Sequence, residues 1–200
     1  MNHLAHAWLA APDADLMLGS LIADFLRGAL DPALPRGVRI GVALHRSVDT
    51  FTDAHPQVVA ARALFEPPYR RYAGILLDVW FDHLLARDWA RHADGSLHAF
   101  SREVQALLAA RAAELPPRMH GFARYMRTHD LPERYREIAM IDDVLRGLSQ
   151  RLSRDNPLAD AVPVIEARAQ PLERHFAAFF PDLVAHAARE RVRLAEAVPA

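Results

Sequence analysis

Residues 132–152 read PERYREIAMIDDVLRGLSQRL. Within this stretch Ile138, Ile141, Leu145, Leu148 and Leu152 recur at spacings of three and four, which lays one apolar stripe along a helix and leaves arginines and acids on the other faces. Composition extends that reading to the rest of the chain. Its 200 residues include 37 Ala and 26 Leu against 22 Val, Ile and Thr together, and unbranched side chains lose little rotamer freedom in a helix. An all-β fold is excluded. With 52% apolar residues there is enough to bury one substantial core, so the expectation is an all-α fold, an irregular multi-helix single domain over residues 1–200.

Punctuation by 14 prolines and 8 glycines divides the chain into helices joined by short turns. The spacing predicts helices over 2–10, 13–28 with Asp13 as N-cap, 35–54, 56–64, and from the turn at 66–68 to His92. Further helices are expected over 96–114, 117–128, 132–152, 160–180 with strain at Pro171, and 182–197. No repeat or domain boundary interrupts the series.

Several functions fall away on composition. The chain has no cysteine, so any metal must be held by nitrogen and oxygen, and thiol nucleophiles are excluded. A net charge of −1, with all 24 basic residues arginine, gives no global pull toward nucleic acid or a membrane surface. Asp24, Asp78 and Asp82 interrupt the most apolar runs, and the amino-terminal MNHLAHAWLAA lacks the cationic start of a signal peptide; a cytoplasmic protein is expected. Walker loops, dinucleotide-binding glycine turns and nucleophile elbows are missing as well.

The acids are distributed unevenly. Residues 1–100 hold ten Asp and one Glu, although glutamate is the better helix former. Asp24 lies among Leu21, Ile22, Phe25 and Leu26, where an unpaired carboxylate would be costly to bury. In LHRSVDTFTDAHP, His45, Asp49 and Asp53 follow one another at i, i+4 and share a helix face, a spacing that lets side chains converge on one ion. LLDVWFDHLL repeats the device with Asp78 and Asp82 and adds His83, while His3 and His6 supply donors on the first helix. Each of these has an ordinary structural alternative, a hydrogen-bonded core histidine or a solvated aspartate. Together they match the inward-facing donor sets of helical metal sites and suit manganese, iron or magnesium.

The runs MNHLAHAWLA, GSLIADFLRG, LHRSVDTFTDAHP and RRYAGILLDVWFDHLLA, in that order, resemble the acyl carrier protein phosphodiesterase family, most densely over residues 1–90. The resemblance implies hydrolysis of the phosphodiester that joins 4′-phosphopantetheine to the carrier's serine, with manganese as the usual metal. It also implies an all-helical fold distantly related to HD-domain phosphohydrolases. Asp24 matches the family's DF motif, and His6, His45, Asp49, Asp78, Asp82 and His83 match motif positions, so these seven are the expected metal donors, with Asp24 and His45 catalytic. Arg46, beside His45, is the expected phosphate clamp. An acidic acyl carrier protein is the expected partner, docking on Arg27, Arg36, Arg39, Arg62, Arg70 and Arg71. Two alternatives stay open: a helical metal phosphohydrolase acting on a nucleotide or other small phosphate ester, and a non-catalytic carrier-binding module.

Overall fold

The computed structural model describes residues 1–26 and 28–199. Among them the regular structure is helical throughout: α1 (His3–Ala10), α2 (Ala14–Ile22), α3 (Arg36–Ala54), α4 (Pro56–Ala63), α5 (Ala73–Arg87), α6 (Leu97–Ala110), α7 (Met119–Thr128), α8 (Ile138–Arg151), α9 (Val162–Glu166) and α10 (Ala169–Ala197), with short 3₁₀ turns between several of them. No helix among the described residues is long and apolar enough to cross a membrane. The all-α reading holds.

The architecture is built around the pairing of α2 with α3. Asp13 caps α2 as expected, accepting from the amides of Asp15 and Leu16. Gly19 of α2 and Gly41 of α3 then meet at the crossing. A Cβ on Gly19 would stand 2.2 Å from the Val38 carbonyl oxygen, and one on Gly41 would stand 2.3 Å from that of Leu16. Only glycine permits this backbone approach. α1 lies against both α2 and α5, while α10 covers α3 and α4 from the other side. Leu4, Leu18, Leu21, Leu44, Leu76 and Phe81 fill the space between, each 1% exposed or less.

Several elements differ from the sequence reading; the helix expected over 132–152 is a 3₁₀ turn over Glu133–Arg136 followed by α8. The α2 helix stops at Ile22 and tightens into a 3₁₀ turn over Ala23–Phe25 instead of running to Gly28. The His45 ring donates to the Ser20 carbonyl there, engaging an acceptor of the final turn. Asp24 consequently sits on a turn, largely exposed, and not in the core. The expected long helix ending at His92 is α5, entered through a 3₁₀ turn at Tyr69–Tyr72 and left through another at Trp89–Arg91. Finally, the helix expected over 160–180 is broken after α9, and its later part is continuous with the helix expected over 182–197, the two together forming α10. Pro171 falls in the first turn of α10, where its missing amide hydrogen is not needed, and α10 runs on through Pro181 because Phe176, Phe179, Phe180, Leu183 and Ala187 all anchor it in the core.

Candidate metal centre

His45 lies on the buried side of α3, and Asp49 stands one turn further on, as the i, i+4 spacing requires. The α1 helix, packed across α2 and α3, delivers His6 to the same point. One ligand atom each from His6, His45 and Asp49 lies within 4.8 Å of the others. Both histidines are almost wholly buried, at 2% and 3% exposure, whereas Asp49 reaches the surface. The two imidazoles stack with their centroids 3.8 Å apart and their planes 18° from parallel.

Hydrogen bonding decides which nitrogens face the cluster. His45 Nδ1 is 2.8 Å from the Ser20 carbonyl oxygen and must donate to it. Its Nε2 is thereby turned toward Asp24 Oδ1 at 3.2 Å and Asp49 Oδ2 at 3.1 Å. An imidazole held by a backbone carbonyl through its far nitrogen is the usual support for a metal-ligating histidine. His6 Nε2 is 3.1 Å from Asp49 Oδ1, yet both its ring nitrogens are buried without a well-directed hydrogen bond. A buried polar atom left in that state is costly unless something else takes its lone pair.

Electrostatics separate the two rings. Loss of solvation lowers the His6 pKa to about 4, reinforced by the neighbouring His45 and opposed by Asp49. Burial also acts to lower His45, but its hydrogen bonds to Asp24 and Asp49 outweigh that and push it up to about 9. Asp49 is held well below the usual carboxylate range: burial opposes ionisation, and the nearness of the His45 and His6 rings overcomes it. Asp24 is also depressed, chiefly by its bond to His45. Without a cation, then, the site needs a proton on His45 to balance two carboxylates. Two nitrogens and one or two carboxylate oxygens offer a divalent cation the same balance, and the orphaned nitrogen of His6 gains a partner, so the residues fit a metal.

Four expected donors fall outside this cluster: Asp24, which meets only His45, and three residues of α5. Asp82, on a buried turn of α5, accepts from the amides of Asn2, Leu4 and Ala5 at 3.2, 2.8 and 3.3 Å, so it caps α1 from a neighbouring helix. The first-turn amides of a helix have no partners of their own, which is why a buried carboxylate is at home there. Asp78, one turn earlier, accepts from the buried Met1 amino group at 2.8 Å. His83 points off the Asp78–Asp82 face by one helical step. Its Nδ1 reaches the Tyr135 carbonyl oxygen at 2.8 Å, and its ring lies against Trp80. Arg46 is likewise one step round from His45; it is exposed and donates to the Gly28 carbonyl. Asp53 pairs with Arg62.

A cavity of about 340 Å³ begins where Asp24 stands and runs between α5, α7 and α8. A second cleft meets it there, and both are bordered by Asp24, Phe25, Phe122 and Arg151, the second cleft adding Arg118. Sequence reading found neither arginine, because both lie beyond the last donor motif in stretches with no local signal. A larger cleft, about 680 Å³, opens beneath Trp8, Trp89 and His92 and contains none of the donors. Of the arginines expected to meet a partner, Arg36 donates to the carbonyls of Ala195 and Val198, Arg39 to those of Leu34 and Pro199, and Arg62 is paired. Arg70 and Arg71 are exposed, and Arg27 lies outside the described residues.

A family model described as "Acyl carrier protein phosphodiesterase" matches residues 1–183. Among curated proteins, the acyl carrier protein phosphodiesterase of Yersinia pestis is 36% identical over 193 residues, covering 96% of this chain and all of the relative. Those of Serratia proteamaculans and Salmonella agona are each 37% identical, covering 94% and 95% of this chain and 97% and 99% of their own lengths. No solved structure matches, so kinship to HD-domain enzymes rests on the sequence resemblance alone.

Proposed function

The chain belongs to the acyl carrier protein phosphodiesterase family, and from that premise we propose that it hydrolyses the phosphodiester between 4′-phosphopantetheine and the serine of holo-acyl carrier protein, using a divalent metal held by His6, His45 and Asp49. The observation that carries this reading is the convergence of those three side chains, from two helices distant in sequence, with an unpartnered histidine nitrogen among them.

A divalent cation at this position supplies Lewis acidity, neutralising charge on the phosphate and making water easier to ionise. The chain's own groups do the rest. The Ser20 carbonyl fixes the His45 ring so that Nε2 always faces the cluster. Asp24, ionised and exposed at the junction of the two clefts, accepts the proton of the attacking water as general base. Asp82 contributes at one remove: by capping α1 it holds His6 in place. Manganese fits the nitrogen and oxygen donors and is the metal that the family resemblance favours. The carrier, an acidic protein, approaches over Arg118 and Arg151, both exposed beside Asp24.

The test is mass spectrometry of holo-carrier after incubation with purified protein and manganese. The expected result is conversion to apo-carrier with release of 4′-phosphopantetheine, abolished by chelator. Unchanged holo-carrier would overturn the reading, and turnover of a nucleotide phosphate ester in its place would assign the site to another phosphohydrolase class.

A further inference from the structure

We propose that the cavity beyond Asp24 receives the pantetheine arm of the prosthetic group, with Arg151 at the mouth on the phosphate. This inference rests on the function proposed above and specifies how that site recognises its substrate.

A phosphodiester carries two ester arms, and two clefts meet at Asp24. One is flanked by exposed Arg118 and Arg151, as suits the surface of an acidic protein. The other, about 340 Å³, lies near the lower end of the roughly 300–1,000 Å³ typical of ligand pockets and has room for a slender chain. Its walls are apolar, from Ile75, Val79, Phe122, Val144 and Leu148. Asn2, Tyr125 and Tyr135 add polar groups, and among the described residues neither tyrosine hydroxyl has a hydrogen-bond partner. Pantetheine has that chemistry: a neutral chain of two amides, a geminal dimethyl group beside the phosphate, and a terminal thiol. Two further carboxylates line the cavity, Asp78, which is paired with the Met1 amino group, and Asp143; they suit a neutral arm there and not a second anion. Among the described residues Arg151 has no ion pair, leaving its guanidinium available for a phosphate oxygen.

Gly147 supplies the test. It lies on α8 at the cavity wall, and a Cβ there would meet nothing within 4 Å. A larger side chain can therefore enter the cavity without disturbing the backbone. Gly147→Phe should fold and keep the manganese-induced rise in melting temperature, yet lose at least tenfold in kcat/KM for holo-carrier. Val144→Trp, from the same wall, repeats the blockade independently. Binding of the product 4′-phosphopantetheine to the manganese-loaded protein, followed calorimetrically, reads the cavity without relying on turnover. Saturable binding by wild type that Gly147→Phe abolishes supports the assignment even if wild type fails to cleave holo-carrier, a failure that would strike the proposed reaction instead. Absence of binding by wild type, or binding and turnover unchanged in both blocking variants, would overturn the assignment.

Discussion

The imidazoles of His6 and His45 lie ring on ring with centroids 3.8 Å apart, although one belongs to α1 and the other to α3. Two buried, stacked imidazoles cannot both be protonated cheaply, and the structure resolves this by leaving His6 neutral and charging His45 against Asp24 and Asp49.

Metal affinity should follow that proton. His6 is already neutral above about pH 4, so binding must displace one proton, from His45, whose pKa is about 9. Apparent manganese affinity should rise about tenfold per pH unit between about pH 4 and the His45 pKa of about 9. The metal-free protein should behave oppositely. Because His45 is raised above its unfolded value, its contribution to stability is full below about pH 6.5 and is lost as pH climbs through about 9. Melting curves across this range, with manganese and with chelator, should diverge; parallel curves would rule out ligation by His45.

Asp24 and Asp49 should separate by role. Asp49 belongs to the cluster of converging ligand atoms, whereas Asp24 touches only His45 and faces the clefts. Asp49→Asn should therefore lose manganese affinity and turnover together. Asp24→Asn should bind manganese within a few-fold of wild type and lose about 10²–10⁴-fold in kcat, the usual worth of a general base. Calorimetric metal titration beside single-turnover kinetics checks both, and collapse of metal binding in Asp24→Asn would make Asp24 a ligand.

The α2–α3 crossing should tolerate no side chain. The atoms a Cβ would strike at Gly41 are backbone, which cannot rotate aside. Gly41→Ala should cost about 1–3 kcal/mol in urea unfolding, as overpacking generally does, and should weaken metal binding by moving His45 relative to His6. Gly147→Ala, with open space around it, should instead gain up to about 1 kcal/mol from helix propensity.

Asp82 should behave as a cap and not as a ligand. Asp82→Ala leaves three amides of the α1 turn without their acceptor and should destabilise by about 1–3 kcal/mol or more. Asp82→Asn, which keeps an acceptor oxygen, should lose less stability and leave manganese affinity within a few-fold of wild type. A large drop in affinity there, with the fold intact by circular dichroism, would return Asp82 to the metal.

Docking should be electrostatic and local to Asp24. Arg118→Glu should raise KM for holo-carrier several-fold at low salt with kcat little changed, and the difference should shrink as the Debye length falls from about 10 Å at 0.1 M salt to about 3 Å at 1 M. Arg36→Glu should leave KM alone and loosen the carboxyl-terminal residues it holds. The reverse pattern would place the carrier at the other face.

Local chemistry was legible from the chain alone. Helical class, the Asp13 cap, the α3 boundaries and the sharing of one face by His45 and Asp49 all follow from interactions within a few residues, which the sequence states directly. The same rule placed Asp78 and Asp82 on one face of α5 but could not say what that face would meet. Packing turned it to the start of α1, where backbone amides claimed the carboxyl oxygens of Asp82. His6 reaches His45 only because α1 lies across α2 and α3, and Arg118 and Arg151 reach the Asp24 clefts only because α7 and α8 close over them. Periodicity fixes which residues share a face; which faces meet is decided by the fit of whole helices, here by the close approach of Gly19 to Gly41, and that is a property of the assembled fold and of no single segment.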